Sequence, residues 1–314
     1  MNDIELFHRE GDAFAELAGS TAPLERALQT LFEKNLEALL GVRFVKSEYA
    51  TSHGGRMDTV GLDENGSSVI IEYKRTSSEN VINQGLFYLD WLMDHRGDFE
   101  MLVLKELGPN VVSEIDWSAP RLICIAADFN KFDTHAVNQM GRNIELIRYK
   151  TFGADLLTLE LLTTVTAPSA SVSAAPVATT AAKPVKYKTI TESLEDASQE
   201  LRDLFSDVET HMQSLGDEVT SKVTQFYVAF RRIKNFACVE VKPQIDVIRL
   251  YLKVDPDSVD LEGGYSRDVR NIGHFGTGDL EITIKTAEDL VPSRSVWVDW
   301  ERRVRRYTRC RGRD

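Results

Sequence analysis

Asp58, Glu72 and Lys74 stand on either side of an Asn65-Gly66 turn, in two stretches that read as β-strands. Residues 56–62 and 69–74 are rich in alternating or β-branched residues, so the segment predicts a β-hairpin. Side chains alternate along a strand, which puts Glu72 and Lys74 on one face and Ile71 and Tyr73 on the other. Loop length decides whether Asp58 joins them. A two-residue loop would pair Asp58 with Tyr73 and send the acid to the wrong face. A three-residue loop, Glu64-Asn65-Gly66 with Gly66 left-handed, pairs Asp58 with Glu72 and is the predicted register. Opposed carboxylates repel unless a cation lies between them. Carboxylate oxygens suit Mg²⁺, which keeps several waters and readily shares a substrate phosphate.

Asp58, thirteen intervening residues and then Glu72-Tyr73-Lys74 resemble the PD-(D/E)XK nuclease signature, with Arg56-Met57 where the naming proline would precede the acid. Gln84-Gly85-Leu86-Phe87-Tyr88 resembles the QxxxY motif of the RecB-type and archaeal or actinobacterial mismatch-endonuclease branches. Gln84 and Tyr88 share one face of a helix. The resemblance implies a metal-dependent endonuclease that hydrolyses phosphodiester bonds in DNA. It implies that Asp58, Glu72 and the backbone carbonyl of Tyr73 hold Mg²⁺ or Mn²⁺, and that Lys74 orients the attacking water. Gln84 and Tyr88 are then expected to contact the phosphate or order the metal's surroundings, and Arg56 to grip the nucleic-acid backbone. The resemblance also implies a further acid from the first helix that binds the ion directly or through water; the superfamily's helix acid commonly follows a Leu, which favours Glu25, with Glu33 and Glu37 as the alternatives. The rival reading is a nucleic-acid-binding module on a nuclease fold that does not cut. Loss of an acid or of the lysine would mark it, and neither is lost. Defence against foreign DNA is favoured over repair, by analogy with the company the C-terminal half keeps.

Positioning these residues takes a helix before the hairpin and another after it. Leu24, Leu28, Leu31, Phe32, Leu36, Leu39 and Leu40 recur at helical spacing over residues 24–40, Gly41 ends that helix, and residues 42–49 read as a strand. A helix over 80–95, a buried strand over 121–126, a helix near 134–140 and strands at 144–149 and 156–162 follow. The order over 24–127 is αβββαβ, an α/β layer pattern like the restriction-endonuclease core.

Residues 164–186 are low in charge and rich in Ala, Pro, Ser and Thr. They divide a nuclease-like domain (1–163) from an α+β accessory domain (187–314). In the latter, Ile190, Leu194, Ala197, Leu201, Leu204 and Val208 predict one amphipathic helix that packs on a sheet or forms a coiled-coil seam. Strands are expected over 224–233, 236–242, 247–254 and 280–285, then a helix from about 287 towards 306. Residues 190–308 resemble an uncharacterised α+β domain often called a predicted transport protein, which also recurs in restriction-like proteins. Gly273-His274-Phe275-Gly276-Thr277-Gly278 opens a strand rather than a helix, and so reads as a structural loop with a packed His274 rather than a phosphate cradle. Arg302, Arg306 and Arg309 line one face of a basic terminal stretch suited to phosphates.

The net charge is −12, and the imbalance sits in the first half: residues 1–160 carry 15 Lys and Arg against 26 Asp and Glu, residues 161–314 carry 22 against 23. Global acidity does not exclude DNA, because a local basic patch is what meets phosphate. Cys124, Cys238 and Cys310 are scattered, without zinc spacing or a disulfide framework. With no signal sequence and no apolar run of the ~18 residues that a bilayer demands, a cytoplasmic protein without membrane contact is expected, and a transporter is not. A homodimer is compatible with the sequence.

Overall fold

A computed structural model of the chain describes residues 4–22, 24–75, 80–165, 188–216, 218–290 and 300. The chain divides into two compact units, Met1–Val172 and Ser173–Asp314. The first is α/β and the second α+β. Among the described residues no helix is long and apolar enough to cross a membrane.

In the first unit, β1 (Leu6–Glu10) and β2 (Ala13–Leu17) form a separate antiparallel hairpin, followed by the short β3 (Gly19–Ser20). Then come α1 (Glu25–Lys34), α2 (Leu36–Leu40), β4 (Val42–Ala50), β5 (Arg56–Asp63), β6 (Ser67–Lys74) and α3 (Val81–Asp94). The unit continues with α4 (Arg96–Leu107), α5 (Pro109–Val112), β7 (Asp116–Ala126), α6 (Lys131–Gln139), β8 (Ile144–Phe152) and β9 (Leu156–Val165). The seven-stranded sheet runs β3-β8-β7-β6-β5-β4, with β9 also paired to β8. β6, β7 and β8 are mutually parallel and the other pairs antiparallel. The expected αβββαβ order is present.

Two expectations need correction. The helix over 24–40 is broken at Asn35, which leaves helical geometry (φ −128°, ψ 20°) and separates α1 from α2. The segment expected to begin a linker at Thr164 is still strand, because β9 pairs along β8 as far as Val165. The rest of the linker, residues 166–186, lies outside the described residues.

Strand alternation sorts the core. Phe32 of α1 packs its ring 5.7 Å from that of Tyr73, so α1 covers the odd-numbered face of β6. Tyr88, Leu89 and Leu92 of α3 join Val60, Ile70, Leu122, Cys124 and Leu146 in one buried cluster on the even-numbered face. Burial of each such side chain stabilises by about 1.5–3 kcal/mol. Gly85 makes this docking close: a Cβ there would stand 2.5 Å from a methyl of Leu122.

The hairpin turn has the predicted register. Thr59 pairs with Ile71 and Leu62 with Ser68, which makes Glu64-Asn65-Gly66 the loop and puts Asp58 opposite Glu72. Gly66 has φ 78°, and a Cβ on it would meet the Glu114 carbonyl oxygen at 2.0 Å. Asp63 Oδ1 accepts hydrogen bonds from the backbone N–H groups of Asn65 (2.9 Å) and Ser67 (2.8 Å), holding the turn. Its other oxygen accepts from Arg121 Nη1 at 2.9 Å, and Arg121 also binds both oxygens of Glu145 at 2.9 Å. All three side chains are buried.

The second unit contains α7 (Ile190–Glu195), α8 (Gln199–Gln213), β10 (Thr220–Val223), β11 (Val228–Arg231), β12 (Asn235–Lys242), β13 (Val247–Leu252), β14 (Ser266–Asp268) and β15 (Leu280–Ile284). Its six-stranded antiparallel sheet runs β10-β11-β12-β13-β15-β14. The single helix expected over 190–208 is two helices. Ser198 caps the second by accepting from the Leu201 N–H, and Thr189 with Glu192 forms a capping box on the first. The apolar stripe is nevertheless as read: Leu201, Leu204 and Val208 pack against Val239, Leu250 and Ile282 of the sheet, not along a coiled-coil seam.

The glycine-rich segment before β15 is tied down on the other face. The Phe275 N–H donates to Glu240 Oε1 (3.3 Å), the Thr277 N–H to Cys238 Sγ (3.3 Å), and His274 stacks on Tyr251 with ring centroids 4.3 Å apart. That is a packed loop. The helix expected from 287 begins as a short 3₁₀ turn, Ala287–Leu290, and Trp300 is a buried helical residue. Arg302, Arg306, Arg309 and Cys310 lie outside the described residues.

Candidate active site

The site lies where β5 and β6 run side by side between α1 and α3. The Asp58 N–H donates to Glu72 Oε1 at 3.2 Å, and the Tyr73 N–H donates to Asp58 Oδ2 at 3.0 Å. The two acids are thus adjacent across the strand pair. Glu72 is wholly buried, and its Oε2 accepts no hydrogen bond. Asp58 and Lys74 are partly exposed, so the cluster has a solvent-facing side.

Electrostatics reflect the crowding. Burial first, and the charge of Asp58 second, push the Glu72 carboxyl up to about 9. Burial also raises Asp58, opposed by the Tyr73 N–H and by Lys74. For Lys74, burial disfavours the ammonium, but the hydrogen bond to Glu25 and the charges of Glu25, Asp58 and Glu72 outweigh it, so its pKa is raised. A buried carboxylate oxygen without a donor, beside a second acid, is a place where a cation lowers the free energy.

The first-helix acids divide their work. Glu25 Oε1 accepts from Lys74 Nζ at 3.0 Å, so Glu25 positions the lysine. Glu33 Oε1 accepts from Thr59 Oγ1 (2.7 Å) and from Gln29 Nε2 (3.0 Å), and Gln29 Nε2 also donates to the Asp58 carbonyl (2.7 Å). Glu37 stands in the first turn of α2. Among the described residues no three His, Cys, Asp or Glu side chains converge as metal ligands. The donor set is therefore the two carboxylates, with backbone carbonyl and substrate oxygens completing it. Mg²⁺ is commonly held in this way, by one or two carboxylates plus water and phosphate, and the residues present fit such an ion.

Gln84 and Tyr88 meet as their spacing predicts. Gln84 Nε2 donates to Tyr88 Oη at 3.0 Å, and the Arg56 N–H donates to the same hydroxyl at 3.0 Å. The pair anchors the beginning of the strand that carries Asp58. Arg56 Nε pairs with Glu48, whose other oxygen accepts from Arg26 Nη1 at 2.7 Å.

Sequence reasoning missed Glu48, Gln29 and Arg26. Glu48 lies in β4 opposite Asp58, since Ser47 pairs with Thr59 and Tyr49 with Met57. It is one of the non-glycine residues with positive φ, 54°, and its charge bears on Asp58. No spacing rule announces that conformation. Gln29 was legible only as an interior residue of an amphipathic helix.

Glu72 ordinarily titrates near 4.5, so its raised folded value stabilises the metal-free protein fully below about 4.5 and ceases to do so as pH rises through about 9. At neutral pH the unfolded chain already ionises this group, so the native state carries a penalty there. Glu72→Gln removes it and stabilises the metal-free protein by about 2–3 kcal/mol near pH 7. Urea unfolding in chelator across pH 5–9 measures this, and a wild-type pH slope no steeper than that of the variant refutes it.

Residues 190–293 match a domain of unknown function, DUF5655. The chain is 28% identical over 292 residues to an uncharacterized protein of Haemophilus influenzae, covering 91% of this chain and 96% of that one. Among solved structures, a repair endonuclease from Pyrococcus abyssi is similar at TM-score 0.29 and 20% identity, over 41% of this chain and 49% of the other. A complex of EndoMS with double-stranded DNA is similar at TM-score 0.29 and 17% identity, over 45% and 49%. The chain spans about half the length of these two solved structures.

Proposed function

We propose that the protein is a metal-dependent endonuclease that hydrolyses phosphodiester bonds in DNA. The observation that carries this reading is the Asp58–Glu72 pair on adjoining strands, with one buried Glu72 oxygen lacking a donor and Lys74 beside it. Asp58 and Glu72 would hold Mg²⁺ or Mn²⁺ with the Tyr73 carbonyl. When bound, the ion supplies a more acidic water and offsets charge on the scissile phosphate. Lys74, held by Glu25 at 3.0 Å, orients that water and stabilises developing negative charge. Tyr88, held by Gln84, keeps Asp58 in register by accepting the Arg56 N–H at the start of its strand. Arg56 and Arg26, both engaged by Glu48 on the rim, are the local cations available to the DNA backbone.

The test is a panel of end-labelled duplex, single-stranded and branched substrates with Mg²⁺, Mn²⁺ or chelator. Wild-type protein cuts at least one of them in metal only. Asp58→Ala cuts about 10³-fold more slowly or not at all, a loss typical of removing transition-state charge stabilisation, and it loses the Mn²⁺ binding that calorimetry detects in the wild type. Metal-dependent cleavage surviving unchanged in Asp58→Ala sinks the assignment.

A further inference from the structure

The β1–β2 hairpin takes no part in the chemistry above and belongs to neither large sheet. It is a two-stranded sheet of its own, in which Phe7 pairs with Glu16 and Arg9 with Phe14. Only Leu6 and Leu17, at its base, are partly covered, and the other eight residues of the two strands are exposed. A lone two-stranded hairpin is marginally stable in water and needs a further strand or a packed face to persist. Among the described residues nothing beyond that base covers either side of it.

Strand alternation puts Phe7, Arg9, Phe14 and Glu16 on one face. Phe7 is 53% exposed and Phe14 68%, and the two rings stand at opposite corners of the face. Arg9 and Glu16 hold the other two corners. Arg9 Nε donates to the Gly11 carbonyl at 2.8 Å and Nη2 lies 3.8 Å from Asp12, which leaves Nη1 without a partner among the described residues. Glu16 likewise has no hydrogen-bond or ion-pair partner among them.

The pattern decides what would cover this face. Residues 5–16 carry Glu5, Glu10, Asp12 and Glu16 against His8 and Arg9, so neither DNA nor an anionic lipid surface is attracted. The face is instead complementary to itself. A two-fold axis along the Phe7–Phe14 diagonal turns a second copy over so that each ring meets its own equivalent. The same rotation brings each Arg9 over the partner's Glu16. Strands of the two hairpins then cross steeply, as in orthogonal sheet packing. Isologous contacts of this kind build most homo-oligomers.

We propose that the β1–β2 hairpin is a homodimerisation element, in which two copies of the chain pack Phe7 and Phe14 face to face and exchange Arg9–Glu16 ion pairs. Four side chains from each copy make a small interface, at or below the about 1,200 Å² of the smallest stable ones. Monomer and dimer therefore exchange across the micromolar range. The proposal is independent of the nuclease reading.

Sedimentation velocity of the full-length protein, from micromolar to submillimolar concentration, tests it. The wild type passes reversibly from monomer to dimer as concentration rises. Phe14→Ser, Arg9→Glu and Glu16→Arg each weaken the dimer about tenfold or more, with unchanged thermal melting. The double variant Arg9→Glu, Glu16→Arg dimerises as the wild type does, because exchanging the two charges keeps the face self-complementary. An equimolar mixture of the Arg9→Glu and Glu16→Arg proteins forms a mixed dimer at concentrations where each alone is monomeric. A monomer at every concentration overturns the proposal. So does a dimer that the three single variants leave intact, which puts the contact elsewhere, and so does failure of the two charge variants to associate with each other.

Discussion

On the nuclease function proposed above, Lys74→Ala lowers the single-turnover rate of metal-dependent DNA cleavage by about 10²–10³-fold, the loss expected when one preorganised donor to developing charge is removed. KM and Mn²⁺ affinity change little, because Lys74 holds no metal. The ammonium lies 3.0 Å from Glu25 and within electrostatic reach of Asp58 and Glu72, so it is both oriented and kept protonated. Glu25→Gln therefore shows a smaller loss, about tenfold, through a less well-positioned lysine. Lys74→Arg does not restore the rate, because a planar guanidinium cannot reproduce a compact ammonium in that geometry. A Lys74→Ala rate within threefold of wild type would remove the lysine from the mechanism.

Arg121→Met destabilises the N-terminal unit by about 3–5 kcal/mol, the cost of leaving buried acids without their cation. Asp63 and Glu145 lose charge-assisted hydrogen bonds of 2.9 Å with no route to solvent. The loss reaches the site as well, because Asp63 also holds the Asn65 and Ser67 N–H groups that fix the hairpin loop. The triple variant Asp63→Asn, Arg121→Met, Glu145→Leu recovers most of the stability, since no unpaired charge remains. Urea unfolding of the three proteins separates these cases. An Arg121→Met cost below about 1 kcal/mol would show that the triad is not charged in the native state.

The centre of the site was the most legible part of the sequence. A glycine at one place in a turn fixed the loop length, and loop length fixed which face Asp58 occupies. Gln84 and Tyr88 could be paired from helical spacing alone. What escaped was set by tertiary contact. The placing of Glu25 on Lys74 rather than beside Asp58 depends on where α1 crosses the sheet. Glu48 depends on a left-handed residue within β4 that no local signal marks. α4 buries only Phe99 and Val103 and has little apolar stripe to read, while β10 and β14 are too short for alternation to show. The division of residues 190–208 into two helices turned on Ser198, a cap that a continuous 3.6-residue period conceals.

The bond from Gln29 to the Asp58 carbonyl, with the bridge from Glu33 to Thr59, makes one short helix a structural partner of the strand that carries Asp58. That helix buries Leu28, Gln29 and Phe32 alone, whereas the strand is held by ladders on both edges. Elements with fewer contacts open first as a native protein is stressed. The geometry of the Asp58 site and sheet integrity are therefore separable: on the proposed function, warming or mild denaturant abolishes cleavage reversibly while the β-structure is still fully assembled.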